Sequence, residues 1–169
     1  MMIVIRLYQE TDAPPAGKLI AATYAAYNLA YLPPQEQAAY LGPFHLADSA
    51  DPDHQEQIAR TLWAPLVLVA ENEVGELVGI LRGRIDRLHS LFVRGDMHRQ
   101  GIGRRLMAHF EQTCLAQGGQ VVRLASTLYA VPFYESLGYK KSTGVRRGWS
   151  FDGENFQWQP MKKILEVIS

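Results

Sequence analysis

The stretch Arg94-Gly95-Asp96-Met97-His98-Arg99-Gln100-Gly101-Ile102-Gly103-Arg104-Arg105 constrains this chain more than any other part of it. The apolar run Leu88 to Val93 precedes it. Behind it, Ile102, Leu106, Phe110 and Cys114 recur at helical spacing, widened by Met107, until Gly118 and Gly119 stop the pattern. A strand thus feeds a glycine-containing turn that opens an amphipathic helix over Gly101 to Gln117. The first turn of a helix leaves main-chain N–H groups without intrahelical partners, and the helix dipole adds partial positive charge there. Gly101 and Gly103 let a ligand approach the main chain with no Cβ in the way. Four arginines (Arg94, Arg99, Arg104, Arg105) stand against one acid, Asp96. Together these features predict a site for an anion the size of a diphosphate. The dinucleotide fingerprint needs a third glycine where Leu106 stands, and the Walker A loop needs a Gly-Lys-Ser/Thr that the chain lacks. The competing reading is that the two glycines only permit tight helix–strand packing, with the arginines solvated.

The helix must be followed by a strand, and Val121 to Ala125 fits one. Strand, helix and strand in this order form a crossover that makes strands 88–93 and 121–125 parallel neighbours. Leu66 to Ala70, Leu77 to Arg84 and Leu88 to Val93 are separated by tight turns, so antiparallel hairpins join them. Ile3, Ile5 and Leu7 alternate along a first strand. A turn at Thr11 to Pro15 follows, where Asp12 and Pro14 could open a helix; helical spacing runs from Lys18 to Tyr31, ended by Pro33 and Pro34. Leu41 to His54 reads as a loop able to cover a site, and Gln55 to Leu62 as a short helix. Ala130 to Leu137 is a further short helix closed by Gly138. Tyr139 onward and Asn155 to Leu165 read as the last two strands. The sum is a mixed α/β sandwich, one sheet with helices on both faces, in a single domain over residues 1–169.

Composition narrows the function classes. Apolar content of 47% and charged content of 20% are ordinary for a globular chain. Formal net charge is zero, so nothing global points to nucleic acid or to an anionic membrane. No apolar run reaches the roughly 18 residues of a membrane span. No secretion signal is read in Met1 to Arg6, and Cys114 has no second cysteine to pair with, so a reducing, cytoplasmic setting is expected.

Two segments carry a resemblance. Leu88-His89-Ser90-Leu91-Phe92-Val93, followed by Arg99-Gln100-Gly101-Ile102-Gly103-Arg104-Arg105-Leu106, resembles the fourth strand and the Gln/Arg-x-x-Gly-x-Gly/Ala loop of the GCN5-related N-acetyltransferase (GNAT) superfamily. Ala130-Val131-Pro132-Phe133-Tyr134-Glu135-Ser136-Leu137-Gly138-Tyr139 resembles its Ala-x-x-Phe-Tyr-x-x-x-Gly-Phe segment. The likeness runs from about Leu66 to Leu165. Two positions depart from the pattern: His98 stands at the Gln/Arg position, and Thr127 where the family often has asparagine.

The resemblance implies a GNAT-like mixed, mostly antiparallel sheet whose parallel strand pair splays to hold acetyl-CoA as cosubstrate, with no metal. It implies that the pantetheine arm bonds to the main chain of Leu91 and Val93 while Phe92 packs in the core. The diphosphate then lies on N–H groups from Arg99 to Arg104, preceded by His98. A main-chain donor near Val93 meets the thioester carbonyl. Thr127 and Phe133 border the arm. Tyr134 matches the family's tyrosine that donates a proton to the departing thiolate; a core tyrosine beside Phe133 is the competing reading. His89, two residues before Leu91, is a candidate base for the acceptor amine, against a histidine that only bonds to main chain. Arylalkylamine acetyltransferases carry a similar Leu-His-x-Leu-x-Val string. Glu71 is a second candidate, against a solvated turn carboxylate.

The implied activity is N-acetyl transfer from acetyl-CoA to a primary amine by direct attack in a ternary complex. Alternatives are a non-catalytic acetyl-CoA sensor, or transfer of a longer acyl group. The implied partners are a small-molecule or peptide amine and, since relatives are often dimers, a second copy of the chain; nucleic acid and membrane are not expected. Asp48, Asp51, Asp53 and His54 lack the spacing of a calcium loop and read as acids near a helix start. Cys114 falls on the buried stripe. The aromatic set Tyr24, Tyr27, Tyr31, Trp149, Phe151, Phe156 and Trp158 hints at an apolar or aromatic acceptor pocket.

Overall fold

Strand β2 (Leu66–Asn72) explains why the sheet must lie between two layers. Val67 and Val69 are buried on one side of it, Leu68 and Ala70 on the other. A strand buried on both faces reads as a continuous apolar run, which is what the sequence carries. The computed structural model describes residues 1–167; positions 168 and 169, the end of the expected domain, lie outside the described residues.

Eight strands form one mixed sheet in the order β1-β2-β3-β4-β5-β8-β6, with β7 paired to β8 off that path. The other strands are β1 (Ile3–Leu7), β3 (Leu77–Arg84), β4 (Arg87–Val93), β5 (Val121–Thr127), β6 (Lys140–Lys141), β7 (Arg146–Ser150) and β8 (Gly153–Ile164). Every pairing is antiparallel except β4 with β5. Helices α4 (Ile102–Ala116) and α5 (Val131–Ser136) pack on one face, where Leu106, Phe110 and Cys114 meet Leu81, Leu88 and Val122. Helices α1 (Ala13–Thr23) and α3 (Pro52–Leu62) cover the other, joining Ile20 and Ile58 to Val69 and Ile80. A third cluster on that side gathers Tyr24, Leu29, Leu41 of α2 (Pro34–Leu41) and Phe156 around Phe92 and Trp158.

Three expectations change. The first helix does open at Asp12 and Pro14, starting at Ala13, but it leaves α-geometry at Tyr24 and passes into a π-turn over Tyr24–Asn28 instead of running regularly to Tyr31. The segment Leu41 to His54 is only partly loop. It holds a 3-10 turn at Gly42–Leu46, and α3 starts at Pro52, capped by the Asp51 carboxylate that accepts from the Asp53 N–H at 2.9 Å. The chain ends in three strands rather than two, and β8 inserts between β5 and β6.

The parallel pair is joined at one end only. Its single registered pairing is Arg87 with Arg123, backed by the Arg123 N–H donating to the Asp86 carbonyl at 2.9 Å. Beyond that point β4 and β5 part.

Candidate functional site

The parting of β4 and β5 leaves main chain unpaired. The Arg94 N–H donates to the Val78 carbonyl at 2.9 Å, and Phe92 and Ser90 sit opposite Ile80 and Arg82. In an antiparallel ladder alternate residues turn their polar groups the same way. Phe92 therefore bonds to β3, while Leu91 and Val93 direct their N–H and C=O groups toward β5, which is no longer there. Side chains follow the same alternation: Leu91 and Val93 pack with the α4 layer, Phe92 with the α1 side.

One of these groups is taken. The His98 ring donates through Nε2 to the Val93 carbonyl at 2.6 Å, which fixes its tautomer. His98 thus acts on the strand end through its side chain and occupies one lone pair of the Val93 carbonyl. The Val93 N–H and both polar groups of Leu91 stay directed into the gap.

At the top of the gap the chain turns through Arg99 (φ 62°) and Gly101 (φ 80°), both left-handed, into α4. The first helical bond here is from the Arg105 N–H to the Gly101 carbonyl, 3.0 Å. Among the described residues the N–H groups of Arg99, Gln100, Gly101, Ile102, Gly103 and Arg104 meet no acceptor. Gly101 is required by its φ; a Cβ there would meet nothing within 4 Å. Gly103 is favoured by packing, since a Cβ would press on the Phe133 ring at 3.1 Å and touch Val93 at 3.7 Å.

The arginines divide. Arg94 pairs with Asp96 (2.7 Å) and Glu76 (3.4 Å), and Arg105 donates to the Ile3 carbonyl at 2.8 Å. Arg99 and Arg104 are exposed and hold no described ion pair. Two cations, not four, remain to draw an anion to the helix start.

Phe133 links the loop to the second motif. Its ring meets Tyr134 edge-on at 5.1 Å, and Tyr134 meets Tyr139 at 5.8 Å. Tyr134 is buried, and burial alone pushes its phenol well above the ordinary value, with no hydrogen bond acting on it. It is protonated and its hydroxyl is uncommitted. Thr127, the last residue of β5, carries a buried hydroxyl with no partner. A buried unpaired hydroxyl costs about 1–3 kcal/mol, so this one marks a place where a polar ligand group belongs.

His89 does not sit where strict alternation puts it. β4 has a bulge: Ser90 pairs with Arg82 and Leu88 with Gly83, so His89 is the additional residue. Leu88 and Leu91 both join the α4-side core, and the expected shared face of His89 and Leu91 is lost. His89 is exposed, near the joined end of the pair. Partial burial, then Arg82, Arg84 and Arg87, lower its pKa, so the ring is neutral at pH 7. Glu71 is committed: Arg6 donates to it at 2.6 and 3.0 Å while also gripping Asp12.

The α1 π-turn brings Tyr27 against the site from the other side. Its ring lies 4.6 Å from His98 and 5.6 Å from Tyr129, bridging the loop after β4 and the loop after β5. Tyr24 donates to or accepts from Ser150 at 2.7 Å in the aromatic cluster under Phe92. Burial pushes the Tyr24 phenol up to about 12, with Ser150 pulling the other way. A groove of about 790 Å³ runs between α1 and the β2–β3 turn, lined by Leu19, Ala22, Ala26 and Leu77; it shares Tyr27, Arg94 and Gly95 with the loop but is not the strand gap. His54 bonds to Ser49, and the Asp51 carboxylate caps α3 by accepting from the Asp53 N–H. Sequence reasoning missed the bridging role of Tyr27 and Tyr129, since only the π-turn brings residue 27 to the loop.

Known folds match this arrangement. A GCN5-related N-acetyltransferase from Rhodopseudomonas palustris superposes with a TM-score of 0.80 at 22% identity, over 98% of this chain and 97% of that one. The PaiA N-acetyltransferase from Thermoplasma acidophilum, solved with coenzyme A, gives 0.70 at 17% identity over 98% and 100%. The putative acetyltransferase YncA from Salmonella typhimurium, solved with acetyl-CoA, gives 0.65 at 17% over 100% and 97%. No curated protein sequence matches. The acetyltransferase (GNAT) domain profile matches residues 48–165, which takes in the unpaired amides, the parted strands and Tyr134 together, and the chain belongs to the GNAT acetyltransferase family.

Proposed function

We propose that this protein transfers an acetyl group from acetyl-CoA to a primary amine by direct attack in a ternary complex. The observation that carries the reading is the row of unsatisfied N–H groups from Arg99 to Arg104 above an unpaired β4 edge. Free amides at a glycine-containing helix start suit a diphosphate, and the unpaired strand edge below them suits amide groups along an extended arm. Coenzyme A has that chemistry, and the activated acyl group is what it supplies. Arg99 and Arg104 add charge at the diphosphate end. Leu91 and Val93 offer the strand edge, the pairing mode by which extended ligands add to a sheet. Thr127 supplies a hydroxyl to the arm.

The chain's own residues then orient and polarise. The Val93 N–H is the donor at the acyl carbonyl, where charge develops. Tyr134 is a protonated hydrogen-bond donor to the departing sulfur. A thiol ionises near pH 8.5, well below this buried phenol, so full proton transfer to sulfur is uphill and a hydrogen bond is the form of assistance. His89, neutral at pH 7, takes the proton released by the amine through solvent, because the bulge turns it away from Leu91. Holding two reactants in line removes roughly 7–11 kcal/mol of barrier, so positioning is the larger share of catalysis. A cytoplasmic setting fits the lone buried Cys114, and no described helix is long and apolar enough to cross a membrane.

The test is release of free thiol from acetyl-CoA across a varied amine library. Acceptor-dependent thiol release with a product heavier by one acetyl group is expected. Coenzyme binding without transfer to any amine would instead support a sensor.

A further inference from the structure

The joined end of the β4–β5 pair carries a feature that acetyl transfer does not use. The strand register sets Arg84 opposite Arg87, Arg87 opposite Arg123, Arg123 opposite Lys162, and Lys162 opposite Lys140. Directly opposed residues share a face, so five basic side chains stand in one line across five neighbouring strands. Val122, Leu124 and Met161 point into the α4 layer, so the line lies on the opposite face. All five residues are exposed. Among the described residues one acid pairs with any of them, Asp86 with Arg84 at 3.7 Å. Like charges set directly opposite one another destabilise a sheet, and four successive like pairs have no structural use. In a chain whose formal net charge is zero, this is segregation of charge rather than excess.

We infer that this line is a docking surface for an acidic polypeptide segment, and that the segment belongs to the amine acceptor. Four steps between strands of about 4.7–4.9 Å give a line of about 19 Å, the length of about six extended residues. A small amine with one carboxylate meets one or two of these cations and leaves the rest facing each other. Polycationic acceptors are repelled. A nucleic acid strand needs planar platforms beside the cations. The same-face neighbours along β5 and β8 are Val121, Ala125, Pro160 and Ile164, which suit aliphatic side chains of a peptide. Ala125 and Thr127 lie two and four residues along β5 from Arg123, so a segment on the line leaves an attached amine within reach of the gap.

The assignment of the segment to the acceptor rests on the acetyl-transfer reading, while its binding does not. The measurement is therefore fluorescence anisotropy of a labelled peptide alternating Glu and Ala, with the full chain and no acetyl-CoA. Wild type is expected to bind it, more weakly as salt rises, and to ignore the Lys/Ala counterpart. Arg123→Glu with Lys162→Glu should weaken binding by at least about tenfold, while Arg123→Lys with Lys162→Arg keeps it within about twofold. Retained coenzyme A binding in the Glu variant confirms that the variant is folded. Arg123→Gln with Lys162→Gln gives the same reading at lower amplitude if the reversed charges unfold the chain. Peptide binding unchanged by charge reversal overturns the inference, as does tighter binding of a single-stranded oligonucleotide of matched charge. Neither result touches acetyl transfer, and a chain inert in the thiol-release screen still answers the peptide test.

Discussion

The two ends of the β4–β5 pair are built from the same strands and work by opposite means. At Arg87 and Arg123 the strands are joined, the main chain is satisfied, and side-chain charge faces outward. At Leu91 and Val93 the strands have parted, the Leu91 polar groups and the Val93 N–H point into the gap, and the two side chains are aliphatic and pack against the core. Main-chain recognition needs little from side-chain identity, so the open end tolerates wide sequence change. The joined end depends wholly on side chains. A parallel ladder that stops after one registered pair therefore separates recognition by backbone from recognition by charge, within a few residues.

The contrast can be broken hardest at the open end. Gly101→Val forces a β-branched residue to φ 80°, at a cost of about 1–3 kcal/mol, and re-aims the amides that follow. Coenzyme A affinity should fall by about a hundredfold or more by calorimetry, equivalent to roughly 2.7 kcal/mol. Affinity within twofold of wild type would show that the loop amides do not carry binding.

Tyr134→Phe comes next. Turnover should drop by more than about tenfold with coenzyme binding nearly unchanged. Because the hydroxyl has no partner to lose, the melting temperature should hold or rise. Undiminished turnover removes Tyr134 from the reaction.

Thr127→Val sharpens the same point with two opposed signs. Deleting an unpaired buried hydroxyl should leave stability equal or raise it by about 1 kcal/mol. Coenzyme affinity should fall by about twofold to tenfold, the worth of one neutral hydrogen bond. A drop in stability with unchanged affinity means the hydroxyl serves the fold alone.

His89→Gln should have the smallest effect, because the amine proton reaches the ring through solvent and water can take it in the ring's place. The folded pKa lies below the ordinary value of about 6.5, so the ring is already neutral and base-competent at pH 7. The unfolded chain binds the proton more readily in that window, so wild-type stability rises as pH climbs through it and is lost below. The acidic limb of the pH–rate profile should therefore lie under 6.5 in wild type and vanish in the variant. An identical limb in both proteins assigns the base elsewhere.

The sequence made the open end legible and left the joined end hidden, for physical reasons. Glycines at 101 and 103, the stripe Ile102, Leu106, Phe110 and Cys114, and the paired motif around Phe133 and Tyr134 are local signals. Strand existence followed from short apolar runs. The line of Arg84, Arg87, Arg123, Lys162 and Lys140 is invisible in one dimension, because register between β5, β8 and β6 is non-local and β8 inserts between strands that precede it in the chain. His89 was misplaced because a bulge leaves no trace in a period-two pattern. The arginine count overstated the pull on an anion, since Arg94 and Arg105 are spent on Asp96, Glu76 and the Ile3 carbonyl. Pro52, inside the stretch that reads as loop, stands at the first position of α3, where a missing N–H costs nothing.

Backbone amide chemical shifts, followed as coenzyme A is added to labelled protein, reach the central claim most directly. The largest changes should fall on Arg99 to Arg104, with Leu91 and Val93 next, and with little change at Arg87 and Arg123. Shifts concentrated in the α1 groove near Leu19 and Ala22, with residues 99–104 unmoved, would contradict the account.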